Sequence, residues 1–166
     1  MPATLTGTRV VIADDHPLIR LAVRRELEEA GFEVCGEASD GAGAVESALG
    51  QNPDVCLLDV AMPGGGVEAA RRIRRSLPGT KVLMLTSSED EADLFEAMLA
   101  GASGFLDKES EPDRLPEVVR AAIRGEVVVP RSFVSVLVER LVAPWNVLGA
   151  PSDRLAAAAP SSPAVT

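Results

Sequence analysis

Two adjacent acids, Asp14 and Asp15, are followed further along the chain by Asp59, Thr86 and Lys108. Three carboxylates gathered at one place repel each other unless a cation compensates. Oxygen-only ligands suit a hard divalent ion, and Mg2+ fits where one or two carboxylates bind and water or phosphate completes the octahedron. A threonine hydroxyl can donate to a phosphoryl oxygen, and a lysine ammonium neutralises such oxygens as a point charge. A carboxylate needs no base to act as a nucleophile. Together the set suits phosphoryl transfer to a carboxylate, giving an acyl phosphate. Taken singly, each residue has an ordinary reading: Asp15 as a helix cap, Thr86 as a strand-end hydroxyl, Lys108 as a solvated cation. The one histidine, His16, adjoins the acidic pair and reads as a helix-start residue or as a modulator of the site.

The elements that must position these residues are legible as period changes. Five short runs rich in β-branched and aliphatic residues, Arg9–Ala13, Glu33–Glu37, Asp54–Leu58, Lys81–Leu85 and Ser103–Leu106, read as strands. The first, third and fourth are nearly continuous apolar runs, as in strands covered on both faces; the second and fifth are weaker and read as edges. Helical stripes fill the gaps over 17–30, 40–50, 67–77, 89–100 and 111–124, with Gly31 and Gly101 as stops. In the first helix, Leu18, Leu21 and Ala22 form one stripe and Ile19, Val23 and Leu27 another. Strict alternation predicts an α/β fold, a doubly wound five-stranded parallel sheet of order 2-1-3-4-5. That order brings the tips of strands one and three together at the switch point, with Asp14, Asp15 and Asp59 on one edge and Thr86 and Lys108 at the tips of strands four and five. It also separates Cys35 and Cys56 by about two strand spacings, roughly 9–10 Å, beyond disulfide reach.

The motifs Asp14-Asp15-His16-Pro17, Asp59-x-x-Met62-Pro63-Gly64, Thr86-Ser87 and Gly104-Phe105-Leu106-x-Lys108 resemble the signature of response regulator receiver domains, which are CheY-like in fold. The likeness spans residues 8–125. With Ala121–Gly125 and the following Val-Val-Val-Pro, it is most similar to the NarL/FixJ subfamily. It implies that Asp59 accepts a phosphoryl group from a histidine kinase, that Asp15, Asp59 and the Ala61 carbonyl ligand Mg2+ directly, and that Asp14 does so through water. It further implies that Thr86 and Lys108 contact the phosphoryl group and that Phe105 is a switch aromatic, a position that ordinary core packing would also explain. Such a chain is a signalling phosphoacceptor and catalyses only its own phosphorylation and dephosphorylation.

The pattern departs from the family in three places. Gly64-Gly65-Gly66 replaces a loop that often carries an Asp, and it reads as more flexible. Ala61 and Ser88 occupy positions that tune dephosphorylation. NarL/FixJ members normally continue into a helix-turn-helix domain, for which this sequence has no pattern, so the expectation is a receiver separated from that domain or one that stands alone. A haloacid-dehalogenase-type phosphatase would need a second Asp at Ala61. A degenerate receiver used only for binding, independently of phosphorylation, conflicts with the complete set Asp14, Asp15, Asp59, Thr86 and Lys108.

Residues 1–125 read as the receiver, 126–143 as an amphipathic helix and linker with Val134, Leu137, Val138 and Leu141 in one stripe, and 144–166 as a flexible Ala/Pro/Ser-rich tail. The net charge is −9, and it lies wholly in 1–125, because Glu126, Glu139 and Asp153 balance Arg131, Arg140 and Arg154. Such acidity argues against nucleic-acid binding by this chain alone. No apolar run reaches the roughly 18 residues of a membrane span, and the opening residues lack a basic stretch leading into an apolar one, so the cytoplasm is the expected location. The expected partner is a cognate kinase; a second copy could be met through the face of the fourth helix, fifth strand and fifth helix or through the 133–142 helix, whose stripe reads equally as a cover for this chain's own receiver.

Overall fold

The computed structural model describes residues 7–87, 91–108 and 112–147. The chain divides into two compact units, Met1–Pro130 and Arg131–Thr166. In the first, β1 (Arg9–Ala13), α1 (Pro17–Glu29), β2 (Glu33–Ala38), α2 (Gly41–Gln51), β3 (Val55–Asp59), α3 (Gly66–Ser76), β4 (Lys81–Thr86), α4 (Glu91–Leu99) and β5 (Gly104–Asp107) alternate. A 3-10 turn (Pro112–Arg114) then leads into α5 (Leu115–Ile123). The sheet is parallel with order β2-β1-β3-β4-β5, as the alternation predicts.

Apolar side chains on both faces of the central strands drive this arrangement, because each face has to be covered by helices to leave water. Val10, Ile12, Val55, Leu57, Leu83, Leu85 and Leu106 form one core with Leu27 of α1 and Leu115, Val118, Val119 and Ala122 of α5. The helices α2, α3 and α4 pack side by side, α2 on α3 and α3 on α4. In α1, only Leu27 is fully buried and Val23 packs against the core, whereas Leu18 and Leu21 are exposed.

The edge strands differ. The strand β2 is only partly covered, and a bulge lies between its pairings with Val10 and Val11. The strand β5 is buried throughout, because Val128 forms a parallel bridge with Gly104 and its carbonyl accepts from the Phe105 N–H at 2.8 Å. The sequence shows Val127–Pro130 only as an approach to a helix, so this extra edge contact is new.

In the second unit, α6 (Arg131–Val147) is one helix. It passes through Pro144, which lacks the N–H for one helical hydrogen bond, so residues 144–147 belong to a helix where the sequence suggested a tail. The remainder of that expected tail, 148–166, lies outside the described residues. Val134, Val138, Leu141 and Val142 are exposed along α6.

Candidate functional site

Buried polar side chains locate the site. Among the described residues they are Asp14, Asp59, Thr80, Thr86 and Asp107, and all but Thr80 lie at the carboxyl ends of strands. Parallel pairing dictates this gathering. Ala13 of β1 is in register with Leu58 of β3, so Asp14 and Asp59 emerge from neighbouring strands at one level. The pairings Asp59–Leu85 and Thr86–Asp107 carry the same edge across β4 to β5.

Two acids and a lysine form the centre. Lys108 Nζ lies 2.5 Å from Asp14 Oδ2 and 3.2 Å from Asp59 Oδ1. The Lys108 backbone N–H donates to the Thr86 carbonyl at 2.9 Å, which fixes where the side chain starts. A largely apolar cleft lined by Ile19, Val23, Leu85, Leu106 and Leu115, with Glu26 among its residues, reaches Lys108, whose ammonium meets the acids.

The acidic loop is braced on its other side. The Asp14 Oδ1 atom accepts from the His16 backbone N–H at 2.9 Å and lies 3.1 Å from His16 Nδ1. Arg20 Nη1 donates to the Asp14 carbonyl at 2.7 Å, a contact that no local pattern signals. His16, not Asp15, occupies the N-cap of α1, and its side chain makes no capping bond. The cap reading of Asp15 therefore falls away. Asp15 Oδ1 approaches His16 Nδ1 at 3.1 Å without hydrogen-bond alignment and has no hydrogen-bond partner.

Electrostatics differ across the pair. Burial pushes the Asp14 carboxyl up, but the Lys108 hydrogen bond, the His16 N–H and the Lys108 charge together hold it below its ordinary value. Burial raises Asp59, against the Lys108 charge, and the Asp14 charge raises it further. One Asp59 oxygen, Oδ2, is buried with no hydrogen-bond partner. Such an atom costs free energy unless something outside the chain meets it. One ligand atom each from Asp14, Asp15, His16 and Asp59 lie within 4.8 Å of one another, a spacing suited to a divalent cation. The donor set, carboxylates with one imidazole, fits such an ion.

The remaining sequence candidates fall as follows. The Ala61 N–H donates to Asp59 Oδ1 at 3.2 Å. Thr86 is buried at the end of β4, and its hydroxyl donates to the Ser87 carbonyl at 2.9 Å. Phe105 is buried in β5, in register with Met84. Ser88 lies outside the described residues. In the glycine loop, Gly64 and Gly65 both adopt φ of 84°, which favours glycine. A Cβ on Gly66 would stand 2.1 Å from the Asp59 carbonyl oxygen, so only glycine lets α3 start this close to Asp59. Asp107, buried beside Lys108 in sequence, escaped the sequence reading because a single acid before a lysine has no distinctive spacing.

Residues 10–120 match the response regulator receiver domain family. The chain belongs to that family. Among curated relatives of this receiver, the transcriptional regulatory protein YxjL of Bacillus subtilis is 43% identical over 122 residues, covering 72% of this chain and 56% of the relative. The nitrate/nitrite response regulator NarP of Escherichia coli is 40% identical over 137 residues, covering 81% of this chain and 64% of the relative. The crystal structure of a LuxR-family response regulator from Aurantimonas superposes with a TM-score of 0.75 at 32% identity, covering 82% of this chain and 99% of that one. These are NarL/FixJ-type regulators, and the chain spans about 56–64% of the length of the two curated relatives. No helix among the described residues is long and apolar enough to cross a membrane.

Proposed function

We propose that this receiver is a cytoplasmic switch in which Asp59 takes a phosphoryl group from the phosphohistidine of a histidine kinase. The observation that carries the reading is the Asp59 carboxylate, buried between Lys108 and the other acids with Oδ2 unpartnered. Attack by that oxygen on phosphorus forms an O–P bond as the P–N bond of the phosphohistidine breaks, and the departing imidazole keeps the electron pair. Lys108 balances charge on the phosphoryl oxygens, and the Thr86 hydroxyl turns from Ser87 to donate to one of them. Asp15, Asp59 and the Ala61 carbonyl would hold Mg2+, with Asp14 acting through water. The ion would supply positive charge to offset that of the phosphoryl oxygens. Phe105 follows the Thr86 movement and carries it to the face of α4, β5 and α5. The chain catalyses only its own phosphorylation and dephosphorylation.

Kinship with transcriptional regulators supports transcriptional control as the output, exerted through a DNA-binding domain that the described residues do not contain. The receiver is assigned to 1–125 and a linker helix to the stretch from 126. Two copies pair through the α4–β5–α5 face or through α6, where Val134, Val138 and Leu141 are exposed. The acidic receiver itself is not expected to bind nucleic acid.

Incubation with Mg2+ and acetyl phosphate, read by intact-protein mass, tests the central claim. The expected result is a gain of one phosphoryl mass that Asp59→Asn abolishes. No gain with any donor supports a phosphorylation-independent binding module, and rapid turnover of unrelated phosphate esters supports a phosphatase.

A further inference from the structure

We propose that His16 is a nitrogen ligand of the acidic site, and that it makes the site prefer a first-row transition ion such as Mn2+ over Mg2+. The inference rests on the reading of Asp14, Asp15 and Asp59 as a cation site and concerns which ion that site selects.

Position is the first argument. The Nδ1 atom of His16 is 3.1 Å from Asp14 Oδ1 and 3.1 Å from Asp15 Oδ1. An octahedral ion with bonds of about 2.1 Å has neighbouring ligands about 3.0 Å apart. The imidazole nitrogen is therefore spaced from the Asp15 oxygen as two neighbouring ligands of one ion are, with the oxygen of Asp14, the acid that acts through water, equally near. The fourth group, Asp59, is the buried carboxylate with an orphaned oxygen, and its ligand atom lies within the same 4.8 Å cluster.

Freedom to bind is the second. The His16 ring is 63% exposed and makes no capping bond for α1, so coordination disturbs neither core packing nor the helix start. Asp14 divides its two oxygens, Oδ2 toward Lys108 and Oδ1 toward His16, so the lysine occupies the opposite side of the carboxylate. With the ion bound, the ring carries its proton on Nε2 and presents the Nδ1 lone pair.

Ligand chemistry supplies the selectivity. Mg2+ takes oxygen donors and dehydrates reluctantly, whereas first-row ions accept an imidazole with an affinity that rises from Mn2+ through Fe2+ and Co2+ to Ni2+, so that Mn2+ gains least and the later ions most. An all-oxygen site follows the same order less steeply, and one nitrogen donor steepens it.

The test uses the full chain with Mn2+ and Mg2+ in separate titrations, read by calorimetry and, for Mn2+, by electron spin-echo envelope modulation. Wild type is expected to bind Mn2+ at least tenfold more tightly than Mg2+ and to show modulation from one directly bound nitrogen. His16→Ala is expected to weaken Mn2+ about tenfold, to change Mg2+ less than twofold, and to lose the nitrogen signal. An unchanged thermal melt without metal verifies that the variant folds. If the nitrogen signal is absent from wild type, or both ions weaken equally in His16→Ala, the inference is overturned. Asp59→Asn and Asp15→Asn separate the two readings: if neither weakens either ion, the acidic cation site itself fails, whereas loss in these variants with an indifferent His16→Ala overturns the histidine role alone.

Discussion

At Asp59, one oxygen lies against Lys108 and the other has no hydrogen-bond partner, while the Asp14 charge stands on the far side of the same ammonium. One lysine cannot compensate two buried carboxylates, so in the absence of a cation the charge on Asp59 opposes folding. Its raised pKa says the same in linkage terms: the folded state binds a proton more readily than the unfolded chain, so the penalty is present at neutral pH and is relieved as pH falls through the folded value. Asp14 runs the other way, since its lowered pKa contributes stability above the unfolded value that is lost on acidification. Asp59→Asn in chelator at neutral pH is therefore expected to be more stable than wild type by about 1 kcal/mol. Urea midpoints measure it. The gain should shrink as pH falls and wild-type Asp59 takes up its proton, and shrink again when Mg2+ is added. A variant less stable than wild type in chelator would show that Asp59 is satisfied by contacts within the chain.

Among the elements, β5 shows both what the sequence disclosed and what it withheld. Its place at the sheet edge was legible, because alternating strands and helices leave few topologies once crossovers are right-handed. So was the meeting of Asp14, Asp59 and Lys108, which follows from strand tips in register and needs no side-chain detail. Its full burial was not legible, because a single bridging residue such as Val128 has no period to detect. The same limit applies in α1, where Leu18 and Ile19 head two adjacent stripes of equal regularity. Only packing against α5 selects the stripe of Ile19, Val23 and Leu27 and leaves Leu18 82% exposed. In the glycine loop, composition suggests slackness, whereas the observed φ values and the approach to the Asp59 carbonyl make those glycines geometric requirements. Gly104 is a similar case on β5. A Cβ there would lie 2.8 Å from Leu83 Cδ2 and 3.2 Å from the Val128 carbonyl oxygen. The leucine methyl can move, but the backbone oxygen is held by the Phe105 N–H. Gly104→Ala is expected to cost roughly 1–3 kcal/mol and to speed hydrogen exchange at the Phe105 amide more than at the amides of β1. Equal exchange at both would mean that the Val128 bridge does not protect this edge.

On the scale of the whole molecule, charge bears on how two copies would meet. The entire net charge of −9 lies in residues 1–125, and phosphorylation of Asp59 adds close to two more negative charges. Two receivers brought face to face therefore repel each other over about a Debye length, roughly 8 Å in physiological salt. The stretch from residue 126 is neutral, and Val134, Val138 and Leu141 stand on α6 at steps of four and three, the spacing of a coiled-coil seam. Pairing through α6 buries that seam between two neutral segments rather than between two acidic faces, which favours it over the α4–β5–α5 face. A seam of about two heptads is short, so association is expected to be weak and visible by sedimentation only toward the upper micromolar range. Val138→Glu should hold the chain monomeric at every concentration. Leu99→Glu, on the exposed side of α4, should leave association intact. Salt provides an independent reading, since an α6 dimer changes little with ionic strength, whereas a dimer of receiver faces tightens as repulsion is screened. Loss of the dimer in Leu99→Glu but not in Val138→Glu, with strong tightening in salt, would assign the interface to the α4–β5–α5 face instead.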